Sequence, residues 1–538
     1  MTPAQAPPTG GRFEPWADFA ALLLALVAIA AIGTGLWRLG TASAGLTITT
    51  QRVGEVPVTL YRPAGEAPAP VVVIGHGFAG SQQLMQPFAV TLARNGFLAV
   101  TFDFPGHGRN PIPFVARIDD EERRVGILLG ALEQVASFAA GLPGADAQLA
   151  LLGHSMAGDV LVRYAAAHRD QVAASVLVSP YLGPDAPRTE PRNLLFLLGA
   201  LEPEMLRQAS REAIAQASGG ELPNADAVAI GVDYGELTAG SARRLVLVPG
   251  VEHIGVLYGQ GGLSAALDWL NQAFGRTGEG FIDARGRSLA LLFLGLVALA
   301  WPLSRLLPRA ATRPLGAGLP WRRLLPVALV PAVLTPVILR LVPSDYLPIL
   351  LGDYLALHFG LYGLLTAAGL WWTLARQRGD PAVPVSSAGP GRTLWSGLLI
   401  GTLAAAAYLT LVMAVPIDRY VTAFLPAAGR GWLILAIVPG TWAYFAADGW
   451  LTRGPGAPRG AGVFTKALFL ISLLAAVALN LSALFFLIII VPAILVFFLL
   501  YGLIGSWLYR RTWHPLVGGL AIGLAFAWAI AVTFPLVA

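Results

Sequence analysis

A serine stands at position 155 where a strand, a tight turn and a helix would meet, the placement that nucleophilic attack on an acyl carbon requires. The segment Leu149-Ala150-Leu151-Leu152-Gly153-His154-Ser155-Met156-Ala157-Gly158 reads as a buried strand running into a nucleophile elbow, which lifts one hydroxyl clear of the backbone. Small residues are needed on both sides of that hydroxyl, because the abrupt turn leaves no room for branched neighbours. Gly153 and Ala157 meet the need, although the usual pattern is G-x-S-x-G; Ala157 departs from it, with Gly158 one place on. Acyl transfer by serine further requires a base to take the proton, an acid to orient that base, and donors for the developing oxyanion.

Composition narrows what can fill those roles. The chain has no cysteine, so disulfides, thiolate metal sites and a cysteine nucleophile are excluded. Lys466 is the only lysine, which leaves Schiff-base and Ser-Lys chemistry without a candidate near Ser155. The base must be a histidine, and five of the seven histidines lie between residues 39 and 280. A mechanism of this kind needs neither a metal nor an organic cofactor.

The elements that must position these groups fall into two classes. With 538 residues, 56% of them hydrophobic, and a mean hydropathy of +0.65, the chain is too long for one ordinary domain and too apolar for a soluble one. Residues 1–16 read as a cytoplasmic tail and 17–37 as a transmembrane anchor. A cleaved signal peptide is the alternative, because Ala42-Ser43-Ala44 resembles a cleavage site and Arg12 precedes the apolar run. Further spans are expected at 288–307, 323–342, 348–374, 393–415, 431–451, 463–480, 482–508 and 514–536, eight helices within a membrane domain over 288–536. The turns at 308–323, 375–392, 452–466 and 509–513 hold most of the flanking arginines, among them Arg309, Arg322, Arg376, Arg453 and Arg510. By the positive-inside rule they are cytoplasmic, which sets the block after the first span outside the membrane. That central block carries 23 acidic and 16 basic side chains; the basicity of the chain belongs to its membrane flanks, and nucleic acid is excluded as a partner. The Pro/Gly-rich stretch 379–391 reads as a flexible loop.

Between the first span and the rest, residues 46–275 alternate short apolar runs with amphipathic stretches. The runs are Val58 to Tyr61, Val71 to Ile74, Leu98 to Phe102, Leu149 to Leu152, Ala174 to Ser179, Leu194 to Leu198 and Leu245 to Val248. This alternation predicts an α/β fold with a mostly parallel sheet covered on both faces and its ligand site at the carboxyl ends of the strands. Three motifs sit at such ends: His76-Gly77-Phe78-Ala79-Gly80, Asp103-Phe104-Pro105-Gly106-His107-Gly108, and the Ser155 elbow. In that order they resemble the α/β-hydrolase family, close to its dienelactone-hydrolase-like and serine-aminopeptidase-like branches.

The resemblance implies the order Ser, acid, His. His76 and His107 fall in turn motifs, His154 inside the elbow and His168 in the helix after it. His253 remains, in Pro249-Gly250-Val251-Glu252-His253-Ile254-Gly255, which is similar to the family's final-strand histidine loop. For the acid, a strand ends at Gly199 with Glu202 three residues on, matching the family's G-x-x-D placement; Glu204 and Asp185 are alternatives. Asp103 is expected to tie down its own turn and His76 to shape its loop. The oxyanion donors implied are the backbone N–H groups of Met156 and Phe78.

The expected activity is cleavage of an ester or other acyl bond, with acyl small molecules or lipids as substrates and membrane lipids as surroundings. The stretch from Pro203 to Ala239 is long enough to form a cap over the pocket. Within the spans, Asp353, Tyr354, His358 and Asp448 are candidates for helix contacts or for an ion or substrate path. Two rival classes are a transporter whose exported domain processes the cargo and a silent binding or sensor domain.

Overall fold

The structure is a computed structural model that describes residues 15–538 apart from 66–67, 116–119, 278–279 and 379–390. Residues 1–14 of the expected tail and 379–390 of the expected loop thus lie outside the described residues. A nine-stranded sheet occupies the central block: β1 (Thr47–Val53), β2 (Val56–Arg62), β3 (Ala69–Gly75), β4 (Leu98–Phe102), β5 (Ala145–His154), β6 (Val172–Val178), β7 (Leu194–Gly199), β8 (Asp233–Tyr234) and β9 (Arg243–Val248). Their spatial order is β1-β2-β4-β3-β5-β6-β7-β9-β8. The six strands from β4 to β9 in that order run parallel, and β1, β2 and β8 are antiparallel to their neighbours.

The parallel strands are buried on both faces, which is why they read as unbroken apolar runs. Along β3, Val71 and Val73 join one core while Val72 and Ile74 join the other, the period-2 consequence of the pleat. One face is covered by α3 (Glu121–Ala140), α4 (Ala157–Ala167) and α5 (Glu204–Ala217), the other by α2 (Gln86–Arg94) and α6 (Gln260–Ala273). Two strands were not among those expected. β1 is exposed along its length and polar in sequence, so no apolar alternation marks it. β8 has two residues and is held to β9 beside the Arg244–Asp233 ion pair.

The expected cap is not what the stretch after Pro203 forms. Its α5 buries Ser210, Ala213 and Ile214 against the sheet, and the chain then returns through β8 to the sheet edge. Crossover and edge strand consume the added length.

The remaining chain is helical: α1 (Pro15–Ala42) before the sheet domain, and after it α7 (Gly286–Ser304), α8 (Trp321–Leu339), α9 (Gly352–Arg378), α10 (Trp395–Ala407), α11 (Ala414–Tyr420), α12 (Gly431–Leu451), α13 (Ala461–Leu479), α14 (Leu481–Leu484), α15 (Leu487–Thr512) and α16 (Pro515–Thr533). Among the described residues eight helical segments are long and apolar enough to cross a membrane: Asp18–Ala42, Gly286–Ser304, Trp321–Leu339, Gly352–Arg376, Trp395–Tyr420, Ala461–Leu479, Leu487–Thr512 and Pro515–Thr533. α12, expected as a further span, packs between α9 and α16.

Close approach explains the small residues along these helices. A Cβ at Gly363 would lie 2.3 Å from the backbone of Ala443 and Tyr444, and one at Gly440 would lie 2.2 Å from the Ala356 carbonyl oxygen. Such contacts bring α9 and α12 to backbone distance, where dispersion replaces the hydrophobic drive that lipid cannot supply. The arginine-bearing turns are tied to one another at one end of the bundle: Ala310 N–H donates to Thr512 O, Gly318 N–H to Arg453 O and Thr312 N–H to Arg392 O.

The ionisable groups Asp353, His358 and Asp448 inside the bundle have protein partners. Asp353 accepts from the Tyr354 and Tyr346 N–H groups, His358 pairs with Ser472 across to α13, and Asp448 meets Thr465 and Lys466. Asp353 and His358 do not meet: Asp353 is held at the start of its own helix and by the loop before it, whereas His358 makes a helix-to-helix contact.

Candidate active site

Every group of interest sits at the carboxyl edge of the sheet. Ser155 follows β5 with φ +52°, the left-handed region that a non-glycine residue occupies only when its surroundings impose it. Those surroundings are explicit. The Ser155 N–H donates to Val178 O at 2.9 Å, and its carbonyl accepts from Gly158 and Tyr181 at 2.9 and 3.0 Å.

The departure at Ala157 also has a local reason. Its methyl occupies the space that Cβ atoms at Gly153 and Gly75 would enter, at 2.8 and 3.2 Å. Two glycines on the neighbouring strands make room for one alanine at the start of the helix. Gly158 is the position that allows no side chain, since a Cβ there would lie 2.6 Å from Pro180.

Ser155, His253 and Glu202 come together. The Ser155 Oγ lies 3.0 Å from Nε2 of His253, and Nδ1 of His253 lies 3.0 Å from Oε2 of Glu202. A carboxylate only accepts, so Nδ1 carries the proton, and Nε2 is free to accept the serine hydroxyl proton. Glu202 is 2% exposed, whereas Ser155 and His253 are partly open. The other carboxylates weighed for the acid lie elsewhere: Glu204 pairs with Arg207, and Asp185 is exposed on its loop. The extra methylene of a glutamate is accommodated because Glu202 Oε1 is held by the Gly199 N–H at 2.9 Å and by the Ser179 hydroxyl.

Two residues with no expected part in this arrangement support it. Ser179, buried at the end of β6 with φ +47°, donates to Glu202; the only sequence signal was a hydroxyl at the end of an apolar strand. His154 is buried, and its Nε2 donates to the carbonyl of His253 at 3.0 Å. Burial first, then the neighbouring His253, hold the His154 ring well below the ordinary histidine range, so it serves as a neutral donor that fixes the His253 loop.

The loop after β3 lies directly on the elbow. A Cβ at Gly77 would sit 2.7 Å from Nδ1 of His154 and 3.0 Å from Cβ of Ser155. His76, with its pKa lowered by burial, accepts the Phe104 N–H at Nε2 and donates from Nδ1 to Gly77 O at 2.8 Å. Asp103 accepts from the N–H groups of Gln82 and Arg109 at 2.8 and 3.0 Å, binding the β3 and β4 loops together. The N–H groups of Phe78, in the loop after β3, and of Met156, directly after the serine in the chain, donate to no acceptor among the described residues. Among those residues no group of three or more His, Cys, Asp or Glu side chains could hold a metal ion.

Residues 66–217 match the family model described as serine aminopeptidase, S33; the match includes Ser155 and Glu202 and ends before His253. No curated protein sequence matches the chain. Similar solved structures include dienelactone hydrolase from Anabaena variabilis (18% identity, 43% of this chain and 96% of that one, TM-score 0.30). An esterase from the archaeon Pyrobaculum calidifontis is also similar (15%, 49% and 99%, 0.32), as is Est1E from Butyrivibrio proteoclasticus, solved with ferulic acid bound (16%, 42% and 100%, 0.32). The sheet order, the crossover helices on both faces and the family match over the elbow lead to one assignment: the central block has an α/β-hydrolase fold, and it is joined to a bundle of apolar helices long enough to span a membrane.

Proposed function

We propose that this hydrolase is a membrane-anchored serine esterase, with Ser155 as nucleophile, His253 as general base and Glu202 as the acid that orients it. The observation that carries the reading is the relay of two 3.0 Å contacts from Ser155 through His253 to a buried Glu202. In the first half-reaction the Ser155 Oγ attacks the ester carbonyl while its proton passes to Nε2 of His253. That proton then goes to the departing alkoxide, leaving an acyl-enzyme and an alcohol. In the second half-reaction water gives a proton to His253 and attacks the acyl carbon; the acid leaves and the proton returns to Ser155. The Phe78 and Met156 N–H groups would hold the oxyanion of both tetrahedral intermediates.

An ester is favoured over a peptide with a free amino terminus, for which a carboxylate should face the nucleophile. Besides Glu202, the carboxylate beside His253 in the chain is Glu252, and it is turned into its own loop, accepting the Ile254 and Gly255 N–H groups at 2.7 and 2.8 Å. The rim instead exposes Tyr181, Leu201, Met205 and Ile254.

The arginine-bearing turns gather at one end of the bundle, and the positive-inside rule supports a cytoplasmic location for that end, with the hydrolase domain on the outer side of the cytoplasmic membrane. The test uses the full-length protein in detergent with a fluorophosphonate probe and a series of p-nitrophenyl esters. Wild type should label and turn over esters, and Ser155→Ala should do neither while keeping its thermal unfolding transition. Labelling that persists in Ser155→Ala refutes the assignment.

A further inference from the structure

The carboxyl edge of the sheet, where a substrate would meet Ser155, faces the helical bundle. Four separate contacts hold it there. The guanidinium of Arg430, 1% exposed, donates to the carbonyls of Gly106, Ala531 and Phe534 at 2.8 Å each. Arg109 grips both oxygens of Asp418 at 2.7 and 2.8 Å. The tail after α16 pairs with the β4 loop, Leu536 N–H to Gly106 O at 2.8 Å and Phe114 N–H to Leu536 O at 2.7 Å. In the β3 loop, the Ser81 Oγ accepts the Ala423 N–H at 2.8 Å.

The apolar surface is continuous across this junction. Phe78, whose backbone is one of the two candidate oxyanion donors, packs against Phe486 as a tilted ring pair with centroids 4.6 Å apart. Phe78 and Leu350 each pack against both the bundle core and the hydrolase core that contains Met156. Phe78 and Phe486 are both partly open, and next to Phe486 the residues Phe485, Ile488 and Ile489 are exposed on the outside of the bundle. An apolar track of side chains thus leads from the core containing Met156, the residue after Ser155, past Phe78 and Phe486 to the surface that a bilayer would cover. A water-soluble ester gains nothing from such a track, whereas an acyl chain can keep its methylenes in apolar surroundings from the bilayer to the nucleophile.

Resting on the serine-esterase reading above, we propose that the substrate is a long-chain acyl lipid ester taken laterally from the bilayer, and that the helical bundle, through Phe486 and Leu350, supplies the wall along which its acyl chain lies. The carbonyl sits at Ser155, hydrolysis consumes one water, and the products are a fatty acid and the deacylated alcohol. The bundle is then part of the active site and sets chain-length selectivity.

The experiment uses full-length protein in mixed micelles, with p-nitrophenyl acetate and p-nitrophenyl dodecanoate. Rates are normalised to sites labelled by a fluorophosphonate, so misfolded protein is not counted. Each buried methylene is worth about fourfold in binding; wild type should therefore prefer the dodecanoate in kcat/KM by at least about 100-fold. Phe486→Ala should lower the ratio of dodecanoate to acetate kcat/KM by about tenfold, and Phe486→Leu, which keeps an apolar surface, by less than about threefold. Leu350→Ala should act in the same direction. A ratio unchanged in Phe486→Ala and Leu350→Ala, or a wild type that favours the acetate, overturns the proposal while leaving the esterase reading intact. Absence of Ser155-dependent labelling and turnover overturns the esterase reading and this one with it.

Discussion

At the scale of single residues, three buried imidazoles lie in the candidate site without being the proposed base. Each has its charged form disfavoured by burial, and each is built in as a neutral ring with a defined tautomer. His107 shows the cost. Its Nδ1 donates to Pro105 O at 2.8 Å, its Nε2 is buried with no partner among the described residues, and its ring packs edge-on against Phe78 and Phe114. Burial, then the neighbouring His76, hold it well below 6.5. An unfolded chain therefore binds protons on these rings before the native one does. Their contribution to stability is present above about pH 6.5 and is lost as the pH falls below that value toward the depressed native values. Thermal unfolding in detergent should show Tm decreasing from pH 7 to pH 5. His107→Phe, which keeps the ring contacts and gives up one hydrogen bond, should cost about 1 kcal/mol at pH 7 and make that decrease shallower. A pH dependence as steep as wild type in His107→Phe would rule out this account.

At the scale of elements, the site is made by loops that touch because glycines allow it. Gly77 brings the β3 loop onto the elbow, and Gly199 brings the β7 loop against Val251, whose carbonyl oxygen would lie 2.4 Å from a Cβ there. The strand expectations made from apolar runs fall on β2, β3, β4, β5, β6, β7 and β9, because strands buried on both faces leave an uninterrupted signature. The edge strands β1 and β8 carry none. A methyl group at position 77 would collide with Nδ1 of His154 and Cβ of Ser155 at 2.7 and 3.0 Å, and the loop bearing the Phe78 N–H would have to retreat. Gly77→Ala should reduce kcat/KM by about 100-fold, the scale of effect produced by an ångström of misplacement, with only about 1–3 kcal/mol lost from stability. Steady-state kinetics beside thermal unfolding would separate the two; a loss of stability with unchanged kcat/KM would contradict the assigned contact.

At the scale of the whole molecule, the sheet domain and the bundle share an interface whose centre is a buried arginine. Replacing Arg430 with Met would leave the carbonyls of Gly106, Ala531 and Phe534 without their shared donor, at a cost of about 3 kcal/mol. Arg430→Met should therefore melt the interface early, seen as a lower Tm and as faster proteolysis between residues 103 and 115; unchanged proteolysis there would show that Arg430 does not hold the β4 loop. The amino-acid sequence by itself determined the parallel strands, the long apolar helices and a serine at the end of β5, since each depends on local periodicity or on one tight turn. It could not choose among Glu202, Glu204 and Asp185, because which carboxylate faces His253 depends on how the β7 and β9 loops pack through Gly199. Nor could it assign Ser179 and His154 their supporting contacts, bring Phe486 against Phe78, or set Leu350 between the two cores. Those meetings join residues tens to hundreds of positions apart, and only the packing of the bundle against the carboxyl edge of the sheet brings them together.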